Sequence, residues 1–217
     1  MTRSSSGPPP RTVDALFFTE EETSLLSDPA FFQKKARISE KIRLQLEATR
    51  EALKEEVKRA VLPVLPESDL ANTQLVKGEH LESFPYQYLD CPKHFRDSEK
   101  RTFRTLVWWG HHVAWAWILE GCLMRQYKKS LVDRFHAVAG QHLELSLAPT
   151  LWEWKRGEGF TLPITHDRKA QIAAVVAERS ILKILRFLPF DDPRVRDGAL
   201  AELSREAFRA MLPIVVA

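Results

Sequence analysis

The longest regular pattern begins at Asp28-Pro29, which reads as an N-cap followed by proline at the first helical position. From there Ile38, Ile42, Leu46, Thr49, Leu53, Val57 and Ala60 recur at steps of four and three. That is one stripe of a long amphipathic helix, predicted over 29–62 and stopped by Pro63. The opposite face carries Lys41, Arg43, Glu47, Arg50, Glu51, Lys54, Glu55 and Lys58. Mixed charges at these spacings make a solvated face with weak supporting ion pairs. The competing reading is a surface for a protein partner or for self-association through helix 29–62.

Pro63, Pro66 and the polar stretch 67–72 predict a connector. Beyond it, residues 84–91 and 103–120 are dense in Phe, Tyr, Trp, Val and Thr, which favour pleated, half-buried surfaces. In the second segment His111, Val113, Trp115, Trp117 and Leu119 share one face, and His112, Ala114, Ala116 and Ile118 the other. Large residues opposite small ones predict a strand whose alanine face is crossed closely by a helix, with a hairpin turn at Gly110. A helix then carries Met124, Tyr127, Leu131, Phe135 and Val138, with Gly140 as its C′ residue. Leu143, Leu145 and Leu147 alternate with Glu144 and Ser146, which predicts a one-sided strand. Segments 151–155 and 160–162 flank Arg156-Gly157-Glu158-Gly159, a hairpin signal. Two helices close the chain, one over 167–188 and one from Asp192-Pro193 onward.

Strands clustered between helices predict an α+β fold. Its mostly antiparallel central sheet spans about 84–162, packed by helices. A flexible tail over 1–12, rich in Ser, Gly and Pro, precedes a single domain over 13–217. The long helix either packs on that domain or stands off as an arm.

Composition narrows the class. The 217 residues are 44% hydrophobic and 28% charged, which excludes a wholly disordered chain and a collagen-like repeat. Lys plus Arg is 32 against 29 acidic residues, and the resulting +3 is too small to imply nucleic acid or an anionic membrane as partner. Two cysteines cannot make a disulfide framework. MTRSSSGPPPR has no apolar h-region, so no secretory signal is expected. The longest nearly apolar run, 106–119, falls short of the ~20 residues a spanning helix needs. These features predict a soluble, cytoplasmic protein with no membrane partner.

No GxGxxG, GxxxxGK[ST], HExxH or GxSxG occurs, and nothing in the sequence calls for a cofactor. Cys91 and His94 have a metal-like spacing, with His111, His112, Cys122 and His136 downstream. Four convergent ligands are not evident, and no metal site is expected. The six tryptophans lie between 108 and 154 and read as core rather than as stacking platforms for single-stranded nucleic acid.

The least generic stretch is 77–110. Asp90, before Cys91-Pro92, reads first as a turn cap; its other role is a carboxylate paired with Arg101 or Arg104. Arg104 lies in a strongly apolar strand, where a buried guanidinium needs a carboxylate such as Asp90 or Glu79. Such a pair beside Trp109 and His111 is either a structural ion pair or the polar part of a small-molecule pocket. The candidate pocket residues are therefore Glu79, Tyr86, Asp90, Arg104, Trp109 and His111.

The blocks Lys77-Gly78-Glu79, Phe84-Pro85-Tyr86, Leu89-Asp90 with Pro92, and Arg104-Thr105 with Trp108-Trp109-Gly110 resemble an uncharacterised bacterial family. That family shows KGE, LPY, LDYP and RTxFWWG in this order. The chain departs from the pattern at Cys91, where an aromatic is expected, and at His111-His112. The resemblance implies no activity. Three functional readings stay open: a binding or accessory protein acting through an aromatic sheet and an amphipathic helix, an enzyme with a polar pocket around Asp90, Arg104 and His111, and a weak nucleic-acid binder.

Overall fold

The computed structural model describes residues 16–60, 62, 72–96 and 98–216. The expected tail over 1–12 and most of the 63–72 connector lie outside the described residues. The chain divides into two compact units, Met1–Lys41 and Ile42–Ala217.

In the first unit, helix α1 (Glu20–Leu26) starts at a reciprocal cap. The Thr19 hydroxyl accepts from the Glu22 amide at 3.2 Å, and the Thr19 amide donates to the Glu22 carboxylate at 2.7 Å. Helix α2 (Pro29–Arg59) begins at the expected cap, where the Ala30 amide donates to Asp28 Oδ1 at 2.8 Å. Ile38, the first member of its apolar stripe, is 45% exposed.

The second unit begins within α2, whose Leu46, Thr49, Leu53 and Val57 are buried there. Among the described residues seven antiparallel strands form one sheet, in the order β1–β2–β3–β4–β7–β5–β6. They are β1 (Gln74–Leu81), β2 (Phe84–Arg96), β3 (Glu99–Trp108), β4 (His112–Glu120), β5 (Glu144–Ser146), β6 (Thr161–Pro163) and β7 (Ile181–Leu188). Helices α3 (Met124–Asp133), α4 (Phe135–Val138), α5 (Lys169–Ala177), α6 (Pro193–Arg196) and α7 (Leu200–Val215) complete the unit. The fold is α+β with an antiparallel sheet packed by helices. No helix among the described residues is long and apolar enough to cross a membrane.

Gly110 makes the expected turn. With φ +74° it takes the left-handed conformation that closes the three-residue loop between Trp108 and His112. On β4, Val113, Trp115, Trp117 and Leu119 face the main core with Leu46, Leu53, Leu131 and Phe208. The Trp115 indole N–H donates to Ser204 Oγ of α7 at 2.8 Å, and Phe103 meets Phe208 edge-on at 5.2 Å. A helix therefore crosses the tryptophan face, correcting the expectation that one crosses the alanine face. Ala114, Ala116 and Ile118 pack instead on Leu106, Trp108, Leu185, Leu151 and Trp154. The small side chains accommodate large rings from a neighbouring strand and from the 148–160 segment, a strap joining β5 to β6.

The sheet is also wider than 84–162. β1 adds an edge strand, and the stretch expected as the second half of a 167–188 helix is strand β7, paired with β4 along its length. Residues 151–155 are not a strand; β6 pairs with β5 instead. Glu144 and Ser146 of β5 are buried, so that strand is not one-sided.

Candidate functional site

Alternation along β2 puts Tyr86, Tyr88 and Asp90 on one face, directly opposite Trp108, Leu106 and Arg104 of β3. Asp90 lies inside the strand, not at a turn. Pro92, which cannot donate to the ladder, sits in the bulge between Asp90 and Lys93. Asp90 is fully buried and Arg104 is 5% exposed. Arg104 Nε donates to Asp90 Oδ1 at 2.7 Å and Nη2 to Oδ2 at 2.8 Å, a planar two-point contact. The guanidinium also lies 3.6 Å from the centre of the Tyr88 ring. Two interactions therefore hold Arg104 in one orientation.

Gly78 pairs with Tyr86 across the β1–β2 ladder. A Cβ on Gly78 would lie 2.4 Å from atoms of the Tyr86 ring, so the absent side chain lets that ring fold down on the sheet. The Tyr86 and Tyr88 rings run parallel, 6.1 Å apart at 5°. Trp152 and Trp154 of the strap face them. Between the two walls is a cavity of about 240 Å³ lined by Leu81, Tyr86, Tyr88, Phe95, Arg104, Leu106, Trp152 and Trp154. Trp152 is 45% exposed, at the mouth, and meets Phe95 edge-on at 6.1 Å.

Cations pin the strap that carries these tryptophans. Lys183 of β7, 2% exposed, donates to the Leu151 carbonyl at 2.9 Å and to the Glu153 carbonyl, and lies 4.5 Å from the Trp154 ring centre. Burial pulls its ammonium down to about 7; Glu153 opposes that shift and Arg104 adds to it. Arg179 donates to the carbonyls of Leu147 and Ala148, and Lys155 reaches Glu82 at 2.8 Å.

Of the six residues singled out from sequence, Tyr86 and Arg104 line the cavity and Asp90 lies behind Arg104. Glu79, Trp109 and His111 are not among the lining residues. Glu79 is on β1 with its carboxylate 3.9 Å from Lys77. Trp109 and His111 belong to the β3–β4 turn, where His111 stacks on Trp108 at 3.6 Å. Tyr88, Trp152, Trp154 and Lys183 were not anticipated. Tyr88 alone carried a sequence signal, its period-two spacing from Tyr86 and Asp90.

Elsewhere, Arg101 donates to Glu99 at 2.8 Å, and Glu99 lies 3.6 Å from His94. Hydrogen bonds from the Cys122 thiol and from Arg101 hold the Glu99 carboxyl down at about 2. Burial pushes the Cys91 thiol up to about 12, which leaves it without nucleophilic character near neutral pH. Among the described residues no three His, Cys, Asp or Glu side chains gather to hold a metal ion. No family model, no curated protein and no solved structure matches the chain.

Proposed function

We propose that this protein is a binding protein whose cavity beside Arg104 takes a small, planar, uncharged ring compound. One observation carries the reading: a guanidinium locked by a buried carboxylate stands in a pocket walled by Tyr86, Tyr88, Phe95, Trp152 and Trp154. Asp90 cancels the charge of Arg104, so the lining presents ring faces and ring edges rather than a net charge. Such surfaces favour offset or edge-on contact with a planar guest. The volume lies below the ~300–1,000 Å³ of pockets for drug-sized ligands, which suits one or two rings. The blocks that resemble the bacterial family meet at this place: Gly78 under Tyr86, and Asp90 against Arg104. The enzymatic reading draws less support, since Asp90 is taken up by Arg104 while Glu79 and His111 stand apart. The nucleic-acid reading draws less still, with Trp108, Trp115, Trp117 and Trp154 all buried.

Saturation-transfer NMR on the full chain tests the reading, with indole and benzamide as ring probes and cyclohexanol as a non-planar control. Transfer to the ring probes, absent for cyclohexanol and lost in Tyr86→Ala, supports it. No transfer to either ring at millimolar concentration, or equal transfer in Tyr86→Ala, overturns it.

A second contact surface is favoured by a separate observation. Phe17, Phe18, Phe31 and Phe32, with Leu25, Leu26 and Ile38, are exposed on and beside α1 and the start of α2. Single exposed apolar residues are ordinary, and it is their concentration in one short stretch of chain that favours a contact surface. We propose that it meets a second copy of the chain. Light scattering should give a dimer mass that reverts to monomer in Phe31→Glu/Phe32→Glu, and a strict monomer in the unaltered chain would remove the idea.

A further inference from the structure

We infer that a second cavity, at the open edge of β7, binds a phosphate monoester through Arg186 and Arg194. β5 pairs with β7 only up to Leu185, and among the described residues no strand lies beside Arg186, Phe187 and Leu188 on that side. A cavity of about 490 Å³ opens there, roughly twice the volume of the aromatic one.

Its lining carries three guanidiniums, of Arg156, Arg186 and Arg194, against one carboxylate, of Glu144. That carboxylate is already committed. Arg156 donates to Glu144 Oε1 at 2.7 Å and the Thr161 hydroxyl to Oε2 at 2.5 Å. Arg194 holds Asp192 at 3.0 and 3.1 Å, and neither Asp192 nor Glu206 reaches the lining.

Arg186 is different. Its side chain is only 19% exposed, yet its one charge contact is Glu206 Oε2 at 3.7 Å, beyond hydrogen-bonding length. Among the described residues its guanidinium makes no hydrogen bond. The same Glu206 oxygen lies 3.7 Å from Arg194 Nη1, so the two guanidiniums converge on one point without being satisfied by it. Both arginines line the cavity while Glu206 does not, so a two- or three-oxygen anion entering from the cavity side would meet donors that Glu206 leaves open. A phosphate suits two guanidinium planes better than a single carboxylate, because it offers an oxygen pair to each. Beside the polar His142 and Thr165, the lining includes Leu143, Ile164, Phe187 and Leu188, which assigns the ester a small apolar body.

Isothermal titration calorimetry of the full chain separates the sources of this chemistry. Phenyl phosphate should bind, inorganic phosphate should bind at least roughly tenfold more weakly, and phenol should give no heat with Tyr86→Ala, in which ring binding beside Arg104 is removed. Arg186→Gln should weaken phenyl phosphate by roughly tenfold or more, the scale of a lost charge-assisted contact. The half-exposed Arg194→Gln should do the same if Arg186→Gln proves too unstable to assay. Tyr86→Ala, in the other cavity, should leave phenyl phosphate unaffected. The site is refuted if phenyl phosphate gives no heat at millimolar concentration, if both arginine variants bind it as the unaltered chain does, or if phenol binds Tyr86→Ala as well as phenyl phosphate does. Inorganic phosphate binding as tightly as the ester would overturn the assignment of an apolar body. None of these outcomes bears on ring binding beside Arg104.

Discussion

Replacing Arg104 by methionine removes the positive half of a pair whose carboxylate has no access to water. The Asp90 charge would then be stranded in the sheet, and breaking a buried pair from one side costs about 3–5 kcal/mol. For a unit of this size each kcal/mol moves the melting temperature by about 2–4 °C, so a fall of roughly 6–20 °C is expected. Replacing both partners, as Asp90→Leu/Arg104→Met, removes the stranded charge along with its desolvation cost and should restore most of the loss. The contrast separates structure from function. The double variant should melt near the unaltered chain yet no longer show saturation transfer to benzamide, because Arg104 forms part of the cavity wall. Urea unfolding followed by circular dichroism, with the double-mutant cycle completed by Asp90→Leu, measures the coupling directly. A cost below about 1 kcal/mol for Arg104→Met would refute the reasoning, since a pair worth so little behaves like one at an exposed surface.

Three further outcomes follow from the same geometry. Gly78→Ala would drive a Cβ against the Tyr86 ring, and urea melts should show a loss of about 1–3 kcal/mol, with smaller loss when Tyr86 is already alanine. Lys183, held at about 7 when folded against 10.5 when free, keeps its proton in the unfolded chain but gives it up in the folded one between those values. Stability from this group is therefore lowest below pH 7 and rises from about pH 7 to 10, by at most about 1.4 kcal/mol per pH unit. Lys183→Met should remove that slope from the difference curve, as urea titrations across the range would show. Leu53→Ala, in the buried part of α2, should cost about 2–5 kcal/mol by thermal melt, whereas Ile38→Ala should stay within ~0.5 kcal/mol.

The α+β class was legible because its signals are local: the stripe along α2, the aromatic density of β2 to β4, and a glycine where the β3–β4 turn needs φ +74°. The missed elements lack such signals. β1 is joined to β2 by Glu82 and Ser83 at φ 51° and 71°, a turn conformation that Gly and Asn normally announce. β7 has cover on both faces, so Ile181 to Leu188 show no alternation, and their apolar spacing fits a helix equally well. With β7 read as helix, Lys183 and Arg186 could not be placed. The site was half legible for a related reason. The pairing of Asp90 with Arg104 follows from the cost of burying a guanidinium alone, which sequence shows. The opposite wall comes from Trp152 and Trp154 on an irregular strap, whose course is set by long-range hydrogen bonds from Lys183 and Arg179. Nothing periodic in the chain encodes those contacts.

Ring binding beside Arg104 is reported most directly by the six tryptophan indole N–H resonances of the 15N-labelled chain, followed while benzamide is added. The Trp152 and Trp154 signals should move together along one saturable curve, while those of Trp115 and Trp117, on the opposite face of the sheet, hold still. Stationary Trp152 and Trp154 signals at millimolar benzamide, or shifts spread evenly over all six, would contradict the account.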